Sequence, residues 1–230
     1  MMLVALLATG CTPTGSTGHP TTSVPGELSG PGQTLVQASA APAPSGVPGL
    51  RSADPFCSAW ATYAGTLQAL GVAASFGNLS SDQFAALELA AAPRLVETVA
   101  EIDDRWPADL AGERAAVDEQ RLGPHARRAQ GAVDALAAAG VTGSELATMS
   151  ADWQSALLGR DPQNPVIERP ALAAALQAKV DAAARAYGAA VTPFAHDPSL
   201  TVGTVDTPLT DAYLTVHCPD LAASGVGDAL

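Results

Sequence analysis

Beyond residue 54 large apolar residues recur at steps of three and four, the spacing of one face of an α-helix. Phe56, Trp60, Tyr63, Leu67 and Leu70 make the first such face. Asp54-Pro55 is its start signal: an N-cap aspartate can accept free amide hydrogens, and a proline at the first helical position gives up only a donor that would be idle there. Gly71 is expected to end it. A second helix should begin after Ser80-Ser81 and carry Phe84, Leu87, Ala91, Leu95, Val99, Ile102 and Trp106 on one stripe. Pro93 is expected to kink or divide it, because a prolyl ring removes one donor and clashes with the preceding turn.

Residues 108–139 form a third segment, poorer in large apolar groups, with Leu110, Val117, Val133 and Leu136 and a break at Gly123-Pro124. Residues 143–158 place Leu146, Met149, Trp153 and Leu157 on a fourth face, and the Pro-rich run from Arg160 to Pro170 reads as a loop. Residues 170–191, opened by Pro170, place Leu172, Leu176, Val180, Ala183 and Tyr187 at helical spacing. Residues 193–206 keep no period, so they read as an irregular connection whose Leu200, Val202 and Val205 cover the core. Thr207-Pro208 repeats the start signal, and Leu209, Ala212, Tyr213 and Val216 predict a short last helix ended by Pro219.

Composition agrees with the periodicity. Alanine, the strongest helix former, occurs 49 times, and β-branched runs of period two are missing. The expected fold class is therefore all-α: an Ala-rich bundle of five to six helices, kinked at prolines. No repeat of fixed period suggests a solenoid. Ala-lined faces let helices approach closely, which leaves the three Trp residues and the Leu positions as core anchors.

Residues 12–50 differ sharply, being almost wholly Thr, Pro, Gly, Ser and Ala, with Glu27 as the one charge. They hold too few large apolar groups to offset the entropy of ordering, and read as a disordered tether spanning roughly 35 Å. Its Thr/Pro/Ser content also resembles the O-glycosylated stalks of exported proteins. Ahead of it, the apolar run Leu3-Val4-Ala5-Leu6-Leu7-Ala8 leads into Ala8-Thr9-Gly10-Cys11. This stretch resembles the lipobox of bacterial lipoprotein precursors. The resemblance covers eleven residues, with Ala8 where leucine is usual and no basic residue before a run shorter than the usual 7 to 15. It implies cleavage after Gly10, a lipid on Cys11, and an open reading frame that extends upstream to Lys or Arg. The expected organisation is a signal peptide over 1–10, a lipidated tether over 11–53 and a helical domain over 54–230.

With Cys11 lipidated, Cys57 and Cys218 remain as an even pair. Outside the cytoplasm such a pair reads as a disulfide, here joining the two ends of the domain. Metal binding is the competing reading. Structural zinc wants four ligands from closely spaced pairs, which are missing, and the adjacent His217 and Cys218 point about 100° apart on a helix. No metal site and no cofactor are expected.

The charge excludes further classes. Against 23 acidic residues stand 11 basic ones, with Lys179 the one lysine, which argues against phosphate neutralisation and so against nucleic acid. Residues 51–230 hold 22 of the acids and all the bases. Glu97, Glu101 and Asp104 share a helical face and are the candidates for ligand contact or acid–base work. Arg94 and Arg105 stand at ion-pair spacing from them, so a solvated face is the competing reading. His19, His125, His196 and His217 are dispersed, and His196-Asp197 reads as a local turn contact before a polarised base. Asn78-Leu79-Ser80 matches the glycosylation triplet, a pattern too short to decide anything. No nucleophile elbow, Walker loop or dinucleotide fingerprint occurs.

The sequence thus predicts a lipid-anchored protein on the outer face of the bacterial cytoplasmic membrane or elsewhere in the envelope. There its helical domain would bind a small molecule or an envelope protein without catalysis. An envelope hydrolase using bundle carboxylates and a purely structural or stress-related protein are the alternatives.

Overall fold

A computed structural model describes residues 46–160, 170–200 and 206–222, all within one compact unit, Ala43–Leu230. The leader, Cys11, His19, most of the tether, the core of the 160–170 loop, and Val202 and Val205 lie outside the described residues. Every described element is helical: α1 (Pro55–Phe76), α2 (Ser81–Asp104), α3 (Arg114–Val117), α4 (Gly123–Ala138), α5 (Gly143–Gly159), α6 (Ala174–Ala190), α7 (Pro208–His217) and α8 (Pro219–Ala222). Short 3-10 turns sit at Ala108–Leu110, Phe194–His196 and Pro198–Leu200. The expected all-α bundle is what forms.

The start of α1 follows from its cap. Asp54 Oδ1 accepts the Phe56 and Cys57 amides at 2.8 and 3.2 Å. All five residues of the predicted face are buried, yet so are Ala59, Ala61, Ala64 and Ala69 on the other sides. Alanine on every remaining side lets neighbours close around the helix, making α1 an interior element in place of a one-faced one. Gly71 does not end it; the helix runs five residues further, since a mid-helix glycine costs only about 1 kcal/mol and burial of Ala73 offsets it. Two threonines that this burial traps find partners: Thr62 donates to the Ser58 carbonyl, and Thr66 Oγ1 accepts from Trp153 Nε1 at 3.0 Å.

α2 packs against α1, α4, α5 and α6 and is the hub of the bundle. Ser80 and Gln83 form a capping box at its start. The helix passes through Pro93 undivided, its ring buried among neighbours and only one backbone bond forgone. Nor does Gly123-Pro124 break the third segment. Between α3 and α4 the backbone widens into a π turn over Asp118–Leu122, which accommodates the proline without ending the helix. Gly123 is required there, because a Cβ would stand 2.6 Å from the Asp118 carbonyl oxygen.

α5 begins at a second capping box, Thr142 with Glu145, and buries Met149, Trp153 and Leu157 as predicted. α6 starts at Ala174, four residues later than Pro170, and buries Leu176, Val180, Ala183 and Tyr187. Trp60 and Trp153 are fully buried, while Trp106 is half-buried and meets Phe56 edge-on. The packed region begins before Asp54, since Val47 and Leu50, assigned by composition to the tether, are buried. Val47 lies against α1 where a Cβ on Gly65 would come within 2.8 Å of it.

The face of α7 is the clearest departure from the sequence reading. Leu209 and Val216 are exposed, and Thr210 and Leu214 point inward instead. Thr210 and Leu214 share a face with Cys218, which is bonded to Cys57 with Cα atoms 5.4 Å apart. Thr207 makes no cap bond. Glu113 caps α7 from another element, accepting the Leu209 and Thr210 amides at 2.9 and 2.8 Å and the Thr210 hydroxyl at 2.7 Å. Asp54 Oδ2 accepts from Tyr213 and Asp211 pairs with Arg121, so α7 is pinned along its length.

Burial pushes the Glu113 carboxyl up, but those three hydrogen bonds and Arg121 outweigh it and hold the group below its ordinary 4.5. A carboxyl depressed in the fold stabilises above its unfolded pKa and loses that contribution as pH falls through the folded value. Glu113→Gln should therefore cost about 1 kcal/mol at pH 7, the size of a typical cap, and the gap from wild type should close below pH 4 in urea melts. An equal cost at pH 3 and pH 7 would contradict the charge assignment.

Candidate functional site

Of the three carboxylates singled out by the sequence, the structure brings two together, around Arg94. Arg94 binds Glu101 through two bonds of 3.0 and 3.2 Å and Glu97 through one of 3.3 Å. Arg105 adds a second contact to Glu101, and Ser150 donates to Glu97. Asp104 stays outside this network and is exposed. Arg94 also reaches Gln154 on α5, so the group acts as a polar seam between α2 and α5 at the surface.

The histidines separate in the same way. His217 is exposed and stacks on Tyr213 with ring centroids 4.3 Å apart. His196 is exposed, and its neighbour Asp197 accepts from the Ser199 amide and hydroxyl at 2.9 and 2.6 Å, a local turn. His125 is buried, its Nδ1 within 2.9 Å of the Tyr63 hydroxyl and 3.0 Å of the Arg121 carbonyl. Burial lowers its pKa most, the nearby Arg128 lowers it further, and the Arg121 carbonyl opposes both. Burial likewise pushes the Tyr63 hydroxyl well above its ordinary range. Both groups are therefore neutral at pH 7.

Among the described residues, a concentration of buried charge involves residues the sequence left unconnected. Glu88 sits in the middle of α2, with side-chain exposure of 6%, and Arg128 on α4 at 9%. The guanidinium grips both Glu88 oxygens, through Nε to Oε1 and through Nη2 to Oε2 at 2.9 Å. Tyr187 on α6 donates to Oε1 at 2.9 Å. On its other side Arg128 Nη1 donates to Asp197 at 2.7 Å and to the Thr192 carbonyl at 2.9 Å. The Phe194 ring lies under the guanidinium at 5.5 Å. Burial opposes the Arg128 charge, but Glu88 and Asp197 outweigh it and raise the pKa. Burial, then the Glu88 charge, pushes the Tyr187 hydroxyl far up, so it remains a donor.

Glu88 and Arg128 of this cluster floor a pocket of about 270 Å³ between the last turn of α1, the first turns of α2 and the end of α6. Its walls are apolar: Leu79, Phe84, Val191, Pro193 and Phe194, with Glu88 and Arg128 as the charged groups. His196 stands in the wall as well. Ala73, Ala74, Ala85 and Gly188 line it too, and their small side chains leave the space that the pocket occupies. A more open groove of about 410 Å³ lies between α2 and α6, rimmed by Asp82, Asp181 and Arg185.

A signal for Glu88 exists in the sequence. It is the one charge within Ala85-Ala86-Leu87-Glu88-Leu89-Ala90-Ala91-Ala92, and a carboxylate so placed must find a buried partner. Nothing local names that partner, since Arg128 is forty positions away.

Among the described residues no three His, Cys, Asp or Glu side chains are grouped to hold a metal ion. No described helix is long and apolar enough to cross a membrane. The chain matches no known protein-family model, no curated protein and no solved structure, so the site stands on its own geometry.

Proposed function

We propose that this chain is a lipid-anchored protein of the bacterial cell envelope whose helical domain binds a small ligand without transforming it. The observation that carries the binding reading is the pocket, with its apolar walls and paired polar floor, the usual make-up of a small-molecule site. The floor also speaks against the hydrolase. Three of the four lone pairs of Glu88 are taken, two by Arg128 and one by Tyr187, which leaves the carboxylate little capacity to take a proton from a substrate. Glu97 and Glu101 are tied up by Arg94 outside the pocket. Export is supported by Ala8-Thr9-Gly10-Cys11 and by a disulfide, which persists in oxidising compartments.

Two experiments test this reading. Fragments that raise the melting temperature should lose their effect in Ala74→Phe, which places a ring in the pocket from the last turn of α1, and should be recovered chemically unchanged. Hits indifferent to that substitution, or converted to product, would remove the binding reading. For the anchor, wild type expressed in bacteria should fractionate with membranes and Cys11→Ala should not; identical fractionation and mass would end the lipidation claim.

A further inference from the structure

We infer that the pocket between α1, α2 and α6 selects a small amphiphile with an apolar body and a cationic amine head, an inference that rests on the binding reading above. The charge at and next to its floor carries the argument. Glu88 lines the pocket, and Asp197, outside the lining, meets Arg128 Nη1 at 2.7 Å; the two carboxylates share that single guanidinium, which leaves one negative charge uncompensated beside the pocket. Asp197 stays ionised, since its bonds from Ser199 and from Arg128 outweigh burial and hold its carboxyl below the ordinary range. The cation already present is not available to an anionic ligand. Four of its five hydrogens go to Glu88, Asp197 and the Thr192 carbonyl.

Backbone dipoles add to the same sign. Ala73 and Ala74 belong to the last turn of α1, and Gly188 to the last turn of α6, so two helix C-termini with their partial negative charge border the pocket. One N-terminus, that of α2, opposes them. Its capping box already uses the Gln83 amide. The walls supply Phe84, whose ring face attracts a cation, and the neighbouring Phe194 shows the same preference by lying under Arg128. His196 also faces this space, but it is exposed, so water screens it from the head group. The volume of about 270 Å³ sits at the small end of ligand pockets and limits the body to a short chain or a single ring.

Three probes of one body and different heads test this: hexylammonium, hexanol and hexanoate, titrated into the full chain at pH 7.5 and followed through the ring protons of Phe84 and Phe194. Hexylammonium should bind at least about tenfold tighter than hexanoate, the effect of one net charge at a partly screened site, with hexanol between them. Asp197→Asn should bring the three together without weakening hexanol, and Ala74→Phe should abolish all binding. Hexanoate equal to or tighter than hexylammonium would overturn the head-group assignment while leaving the pocket a ligand site. Failure of all three would remove the pocket reading itself. A matching loss of hexanol affinity in Asp197→Asn would show that Asp197 shapes the floor, and would also overturn the charge argument.

Discussion

Replacing Cys57 and Cys218 by serine is expected to lower the stability of the domain by up to about 5 kcal/mol. The chain-entropy treatment assigns that value to a bridge closing so long a loop, here between residues 161 positions apart. For a domain of this size the loss corresponds to a fall in melting temperature of about 10 to 20 °C. Calorimetry of wild type with and without reductant should show the same fall, since reduction removes the same constraint. The native contacts that hold α7 remain in the variant: Glu113 on its first turn, Arg121 on Asp211 and Asp54 on Tyr213. Hence the folded structure should survive at low temperature with its circular dichroism unchanged. A shift under 2 °C would mean that the bridge does not restrict the unfolded chain as its position implies.

The second large effect concerns the floor of the pocket. Arg128→Met should cost about 3 to 5 kcal/mol, because it strands a carboxylate of 6% side-chain exposure with only the Tyr187 hydroxyl as partner. Glu88→Leu alone should cost less, because the guanidinium keeps Asp197 and the Thr192 carbonyl as partners. The double variant should recover much of the sum, since an apolar pair of similar volume removes both desolvation penalties. Urea denaturation of the four proteins measures the coupling directly. Additive losses would contradict a paired buried cluster.

These two features differ in how they could be read from the chain. The disulfide follows from counting cysteines once Cys11 is set aside, and the largest misreading lies on the helix that leads into it. Periodicity placed Leu209, Ala212, Tyr213 and Val216 on the inner face of α7; Tyr213 does pack against the core, but Leu209, Ala212 and Val216 are exposed, and Thr210 and Leu214, on the face of Cys218, are buried. Helix faces rich in large groups, such as Phe56 to Leu70 and Met149 to Leu157, were legible because burial there depends on local spacing. Helix ends were less so. Gly71 reads as an end, Pro93 as a kink or division and Gly123-Pro124 as a break, yet the helices run through all three, since the local costs are small beside the packing of long Ala-rich helices.

The candidate site was barely legible. Its parts come from α2, α4, α6 and the turn after it, and no spacing rule links Glu88 to Arg128, Tyr187 and Asp197. The carboxylates that did share a visible spacing, Glu97 and Glu101, are visible for the reason that makes them ordinary: neighbours three, four and seven apart pair on the exposed face of a helix. Val47 and Leu50 escaped notice because two apolar residues inside a Pro/Gly-rich stretch carry no periodicity.

The central claim is that an exported, lipid-anchored chain carries an Ala-rich helical domain closed by a bridge between its two ends. Intact mass spectrometry of the full protein, recovered from bacterial membranes and alkylated without reductant, tests it most directly. The account predicts loss of residues 1–10, a lipid adduct on Cys11, and no alkylation of Cys57 or Cys218. An unprocessed N-terminus with all three cysteines alkylated would contradict it.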